Sequence, residues 1–178
     1  MKLHRIAQRT CTATGSMYHF FPDRDALLRA LLERHTRELR TMMERLEHEV
    51  GNEWSDLSTS ALVDRLINPF IDFMDRHPDF LPLTRLVRIN RGAHDRDVEL
   101  DQCVSRLHEA LIALRRPDAT AAERKVIGLS ITAISQGFVS LMTRTDDAAI
   151  VKLLRTELRR ALIAYIDNTL IPERTRAN

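Results

Sequence analysis

The chain has 178 residues, of which 44% are hydrophobic and 29% are charged, and its formal net charge is +2. This composition excludes an intrinsically disordered protein, and the length fits one domain or one domain with a small appendage. Only five glycines and six prolines interrupt the chain, which favours long helices over an all-β fold. Cys11 and Cys103 are too few for a disulfide framework or a cysteine-only zinc site, so we expect both to be reduced thiols.

The charge is unevenly distributed along the chain. Residues 1–40 carry eight basic and four acidic side chains, a net charge of +4, whereas the remaining 138 residues carry 19 basic and 21 acidic ones, a net charge of −2. Positive charge concentrated at one end is expected where that end meets a polyanion such as DNA.

The spacing of apolar residues predicts helices throughout the chain and no strand. The predicted helices cover residues 4–10, 13–20, 23–50, 58–76, 79–90, 95–115, 120–143 and 146–171. We expect Asp23 to cap the third helix, Gly51 to end it as its C′ residue, and Pro69 to bend or divide the fourth. Thr120 and Glu123 have the spacing of a capping box. The sequence therefore predicts an all-α fold.

An uncharged segment of 18 residues, Val126 to Thr143, is just long enough to be considered as a membrane span. Serine, threonine and glutamine side chains are spread through it, which favours a buried helix of a soluble protein. The N-terminus lacks the apolar core of a signal peptide, so we expect a cytoplasmic protein that does not associate with membranes.

Two short helical segments joined by a tight turn at the N-terminus are typical of a helix-turn-helix. The second segment starts with the small residues Thr14, Gly15 and Ser16, which leave it slim enough to enter the major groove. Tyr18 and His19 extend farther and can reach phosphates and base edges.

The tract TGSMYHFFPDRDALL, residues 14–28, together with Ile6 and Ala7, resembles the DNA-binding signature of the tetracycline-repressor-like (TetR/AcrR) transcriptional regulators. The resemblance implies a homodimer, usually a repressor, that binds a palindromic double-stranded DNA operator and is released by a small-molecule effector, with no cofactor. It implies a DNA-binding domain at 1–40, whose long linking helix starts at residue 23, and a ligand-binding and dimerisation domain at 41–178. The positions that match the family's DNA-contacting residues are Thr14, Gly15, Ser16, Tyr18, His19 and Arg24.

Three features depart from that signature. The turn reads Thr10-Cys11-Thr12-Ala13 where the family usually has Ala-Gly-Val-Ser, so a left-handed conformation at Cys11 costs about 1–2 kcal/mol. Ala13 lacks a hydroxyl to cap the second helix. The family also has a helix before the one at residues 4–10, and this chain starts without it. These departures leave open a second hypothesis, a helical ligand-binding or dimerisation module that has lost DNA binding.

Apolar and polar side chains in the middle of the chain could line an effector pocket between helices. A plain packed core is the alternative for each of them. The predicted pocket residues are Phe70, Phe73, Met74, Arg88, Val104, Leu107 and His108.

The last two predicted helices carry more apolar surface than one neighbouring layer would cover, which favours a two-fold four-helix interface between two chains. The residues expected at this interface are Ile127, Ile131, Ile134, Gly137, Phe138, Leu154, Leu158, Leu162 and Tyr165.

The sequence contains no motif for an enzyme or a metal centre. HExxH, Glu-x-x-His, GxSxG, P-loop and GxGxxG patterns are missing, so we predict neither catalysis nor a metal site. Glu44 and His48 share a helix face at i, i+4 and are interpreted as a solvated pair.

Overall fold

The computed structural model describes residues 3–91 and 98–170, apart from the side chains of residues 88–91. Every regular element within these ranges is a helix, which confirms the all-α class. The helices are α1 (Leu3–Arg9), α2 (Thr14–Phe20), α3 (Arg24–Glu49), α4 (Asn52–Ser55), α5 (Thr59–Arg76), α6 (Phe80–Arg91), α7 (Val98–Arg115), α8 (Ala121–Thr143) and α9 (Ala148–Leu170).

Side-chain caps fix the starts of several helices. Asp23 accepts a hydrogen bond from the Ala26 N–H at 2.6 Å at the start of α3, as predicted. At the start of α8, Thr120 and Glu123 form both bonds of the predicted capping box. Asp147 accepts a bond from the Ala149 N–H at 2.8 Å at the start of α9. Each bond satisfies an N–H that the first helical turn leaves without a partner.

Two local predictions are confirmed only in part. Gly51 follows Val50, the C-cap of α3, and so takes the predicted C′ position, but its backbone is extended (φ −148°, ψ −177°) and it precedes α4, a helix that was not predicted. Trp54 in α4 is fully inaccessible to solvent, and its burial explains why a new helix starts directly after α3. Pro69 does not divide α5, which runs unbroken from Thr59 to Arg76. The buried face of α5 compensates for the hydrogen bond that proline removes.

The apolar core of the described residues has two parts, and α3 contributes to both. The larger cluster is built from α3, α4, α5, α7, α8 and α9 and contains Leu46, Trp54, Leu62, Val63, Ile67, Leu107, Leu111, Ile112, Ile127, Ile131, Leu158, Leu162, Ile166 and Leu170. The smaller cluster is built from α3, α5 and α6 and contains Leu39, Met42, Phe73, Met74 and Phe80. The C-terminal half of α3 is therefore an integral part of the larger helical body, while α1 and α2 pack on each other.

Polar contacts lock α5 to α9 alongside this core. The guanidinium of Arg159 donates to both carboxylate oxygens of Asp64, at 2.5 and 2.8 Å, and to the Ser60 hydroxyl at 2.5 Å. The hydrogen bonds from Arg159 hold the pKa of the Asp64 carboxyl below its usual range, against the opposing effect of desolvation. The Thr59 hydroxyl donates to the Asp167 carboxylate at 2.5 Å, which is a further contact between α5 and α9.

Candidate nucleic-acid interface

The turn between α1 and α2 is closed by two backbone hydrogen bonds. The Thr12 N–H donates to the Ala7 carbonyl at 2.9 Å, and the Cys11 N–H donates to the Gln8 carbonyl at 3.4 Å. This pair of bonds is the Schellman arrangement, which requires a left-handed residue at the C′ position. Cys11 is that residue, with φ of 52°, so it takes the conformation for which the sequence analysis predicted a cost.

The start of α2 has no side-chain cap. Ala13 has the extended backbone of an N-cap residue (φ −58°, ψ 128°) but offers no side-chain acceptor to the first N–H groups of the helix. The side chains of the first turn, Thr14 and Ser16, are small and exposed. A helix start of this kind is open to acceptors such as phosphate oxygens.

All six predicted DNA-contacting side chains are exposed. A Cβ added at Gly15 would meet no atom within 4 Å, and Tyr18 is 47% accessible. The other exposed members of the set are Thr14, Ser16, His19 and Arg24. Met17 is buried, with 8% of its surface accessible, whereas Ile6 is half-buried.

Exposed cationic side chains lie on the two helices that flank α2 in the chain. Arg5 and Arg9 are exposed on α1, and Arg24 lies in the first turn of α3, where the helix dipole favours an anion. None of the three forms an ion pair with another residue in the described part of the chain. These guanidinium groups are therefore available to bind phosphate.

The structure distributes the predicted effector-pocket residues over separate parts of the core. Phe73 and Met74 lie in the smaller cluster with Phe70 packed against it, whereas Leu107 lies in the larger one. Val104 is half-buried on α7. The side chain of Arg88 lies outside the described residues, so its placement at a pocket stays a prediction.

His108 is the buried polar member of that set. Its Nδ1 lies 3.2 Å from the Thr132 hydroxyl, and its Cβ lies 3.5 Å from the position a Cβ would take on Gly128. Desolvation lowers the pKa of His108 to about 4, and a hydrogen bond with the backbone of Gly128 opposes that shift only in part. The ring is therefore neutral at physiological pH and fixed between α7 and α8.

A polar cleft of about 330 Å³ lies between α3 and α7, away from the predicted pocket residues. Its lining residues are Arg37, Arg40, Thr41, Glu44, Glu99, Gln102, Cys103 and Arg106. Its arginines already have partners, because Arg37 pairs with Glu33, Arg40 with Glu99 and Arg106 with Glu47.

The predicted dimer-interface residues divide into two groups. Ile127, Ile131, Leu158 and Leu162 are at most 8% exposed and belong to the core of one chain. Gly137 is exposed, and the half-buried members are Ile134, Phe138, Leu154 and Tyr165.

Apart from Gly137, the apolar residues that are exposed on these helices lie outside the predicted interface set. They lie at three- and four-residue steps on α8, as Val126, Leu129, Ala133, Gly137 and Leu141, and continue on α9 as Ile150 and Leu153. We call this set the α8–α9 stripe. By length and composition α8 could span a membrane, since an 18-residue window has mean hydropathy 1.5, and only 22% of that window is buried. The predicted burial of α8 is thus incomplete within one chain.

A polar cluster that the sequence analysis also missed joins α3 to the turn between α5 and α6. His35 Nε2 lies 3.0 Å from Asp79 Oδ2, and His77 Nε2 lies 3.0 Å from Glu38 Oε2 without the alignment of a hydrogen bond. His77 is the main cause that lowers the pKa of Glu38, with further help from Arg76. Burial acts to raise the pKa of Asp79, but the hydrogen bond with His35 and nearby charges leave it lowered.

The larger helical body of the chain matches a known protein family. Residues 58–166 match the model of the tetracyclin repressor-like C-terminal domain. Because this match covers more than half of the chain, the protein belongs to the tetracycline-repressor-like family of regulators. The matched region does not overlap the tract at 14–28, so two separate parts of the chain indicate the same family. Neither a curated protein nor a solved structure matches the chain.

Proposed function

We propose that this chain is a ligand-responsive transcriptional repressor that binds a palindromic operator as a homodimer and has no catalytic activity. The observations that carry the proposal are the exposed start of α2 and the exposed arginines on α1 and α3, which form no ion pair within the described residues. In this arrangement Thr14, Gly15 and Ser16 enter the major groove, Tyr18 and His19 contact the backbone and base edges, and Arg24 binds a phosphate.

Pairing of two chains through the α8–α9 stripe would set two copies of α2 side by side. Half-sites on DNA lie one helical turn apart, about 34–36 Å, so a two-fold dimer matches a palindrome. The stripe supports this proposal because exposed apolar surface of this extent usually marks an interaction site. A soluble, cytoplasmic dimer would also cover the apolar face of α8 without a membrane.

The effector would act through α3. This helix runs from Arg24, at the DNA-reading end, to Glu49, within the larger helical body, without a break. The chain therefore divides by role into residues 1–40, which read DNA, and 41–178, which bind ligand and dimerise, with α3 crossing the boundary. A ligand that favours a different tilt of α3 needs a coupling free energy of only about 1–3 kcal/mol to change operator affinity usefully.

Binding of the full chain to the DNA upstream of its own gene tests the proposal. We expect saturable binding that exceeds binding to scrambled DNA and weakens steeply as salt rises, because released counterions drive it. Tyr18→Ala should weaken specific binding at least tenfold without changing the thermal unfolding of the larger helical body. Leu86→Ala, which truncates an exposed apolar residue on α6, should bind as the unaltered chain does.

Two results would decide against this function. Loss of any preference for the upstream DNA at low salt would favour the module that has lost DNA binding. If Tyr18→Ala bound the operator as tightly as the unaltered chain does, the DNA-contacting surface would lie outside α2.

A further inference from the structure

We propose that His35, His77 and Asp79, with Glu38 beside His77, form a binding site for a divalent transition-metal cation of the zinc type. The ligand atoms of His35, His77 and Asp79 lie within 4.8 Å of one another. Nitrogen and oxygen ligands around a tetrahedral zinc ion, at about 2.0–2.2 Å from the metal, lie roughly 3.3 Å apart. Side-chain movements of about 1–1.5 Å would therefore suffice to close the cluster around an ion.

Two buried ring nitrogens in this cluster lack a hydrogen-bond partner in the described part of the chain, namely His35 Nδ1 and His77 Nε2. His35 is only 1% exposed, so its unpaired nitrogen has no access to bulk water. A buried polar atom without a partner is costly, and an ion held between His35 Nε2, His77 and Asp79 would accept the lone pair of His77 Nε2, whereas His35 Nδ1 lies on the other side of its ring and would not contact that ion. A cation at this position would therefore give His77 Nε2 a partner, which the hydrogen bond between His35 and Asp79 does not provide.

The surroundings resemble those of metal centres. Phe73 and Phe80 pack edge-to-face against the His35 ring, with centroid distances of 6.1 and 6.2 Å, and exclude water on that side. Arg76 donates to Glu38 Oε1 at 2.8 Å, which fixes this carboxylate and leaves its other oxygen toward His77. An apolar shell and an oriented carboxylate both strengthen metal binding.

The ligand types select the class of ion. Two imidazoles with two carboxylates suit Zn²⁺, Ni²⁺ or Co²⁺, whereas Mg²⁺ and Ca²⁺ favour all-oxygen sites. His35 and Glu38 lie on α3, and His77 and Asp79 lie at the junction of α5 and α6. A bound ion would therefore tie α3 to the larger helical body. Its effect on operator binding rests on the function proposed above, but occupancy of the site does not.

Calorimetric titration of the chelator-treated full chain with zinc chloride tests the site without DNA. We expect one Zn²⁺ per chain and a rise in Tm on addition of zinc. Co²⁺ at the same site should give the visible absorption of a tetrahedral complex, which an octahedral surface ion does not.

Variants separate this site from other histidines. His77→Gln and Asp79→Asn, at positions less buried than His35, should each weaken zinc binding at least tenfold and abolish the zinc-dependent rise in Tm, with an unchanged far-ultraviolet circular dichroism spectrum. His48→Gln is the matched control, because His48 is exposed on α3 about 20 Å from His35 along the helix axis. It should bind zinc as the unaltered chain does.

Either of two outcomes would overturn the site: no stoichiometric zinc, or stoichiometric zinc held equally by His77→Gln and Asp79→Asn. Because the titration contains no DNA, its failure leaves the proposed regulator function intact. Conversely, failure to bind operator leaves the metal site intact.

Discussion

The N–H of Thr12 donates to the carbonyl of Ala7 at 2.9 Å, a hydrogen bond that spans the whole turn between the two short helices. The bond can form only because Cys11, between them in the chain, has positive φ. A residue with a Cβ is strained there, whereas glycine is not. The turn between α1 and α2 therefore contains conformational strain at Cys11, which a single substitution should remove.

Cys11→Gly should stabilise the α1–α2 pair by about 1 kcal/mol, since relief of the left-handed strain outweighs the greater backbone entropy that glycine has in the unfolded chain. Hydrogen exchange of the amides in residues 3–20 measures this local stability. Cys11→Ala is the control, because it removes the thiol but retains the strain, and it should show little change. Faster exchange in Cys11→Gly than in the unaltered chain would contradict the prediction.

Ala13→Ser should stabilise α2 by about 1 kcal/mol, because a hydroxyl at this extended N-cap position can accept from an uncapped N–H. Slower amide exchange at residues 14–20 would report it.

Asp23→Ala is the opposite case. It deletes an existing 2.6 Å cap bond to Ala26 and should destabilise the start of α3 by a similar amount. If Ala13→Ser and Asp23→Ala changed amide hydrogen exchange in the same direction, capping would not be the cause.

The burial of His108 should make folding stability depend on pH. The pKa of a histidine is about 6.5 in an unfolded chain and about 4 for His108 in the fold, so the unfolded chain takes up a proton that the folded chain excludes. The free energy of unfolding should therefore fall as pH decreases from about 6.5 toward 4, by about 2 kcal/mol between pH 7 and 5. Urea unfolding at both pH values measures the change.

His108→Asn should remove most of this pH-dependent loss, even though it lowers the stability at pH 7 as well. His48→Asn, at an exposed site, should leave the loss unchanged. An equal fall between pH 7 and 5 in His108→Asn and the unaltered chain would assign the effect to other groups.

Leu153→Glu should convert the proposed dimer into single chains of 20.5 kDa, as measured by light scattering after size exclusion. The residue is 66% exposed in one chain, so the charge costs little in folding but cannot be buried between two copies. Val98→Glu is the matched control, because Val98 is 64% exposed on α7, outside the α8–α9 stripe. A single-chain mass for the unaltered protein would refute pairing through the stripe.

Much of the helical architecture follows from the sequence because its signals are local. The Thr120–Glu123 capping box, the Asp23 cap and the apolar periodicity each act over three or four residues, and the structure confirms them. Helix α4 was not predicted, and Pro69 does not divide α5, because burial of Trp54 and of one face of α5 outweighs the local preferences of the chain. The exposed surface of α2 remains a predicted DNA contact, supported by the family to which the chain belongs.

The helical class, most helix limits, the strain at Cys11 and the family signature at residues 14–28 can all be read from the amino-acid sequence. The face of α8 that is inside follows from packing, because both faces are apolar and periodicity cannot distinguish Ile131, in the core, from Leu129, at the surface. Packing also brings His35 to Asp79, 44 residues away in the chain. Such a contact depends on how α3 packs against the α5–α6 junction, and no short-range pattern encodes that packing.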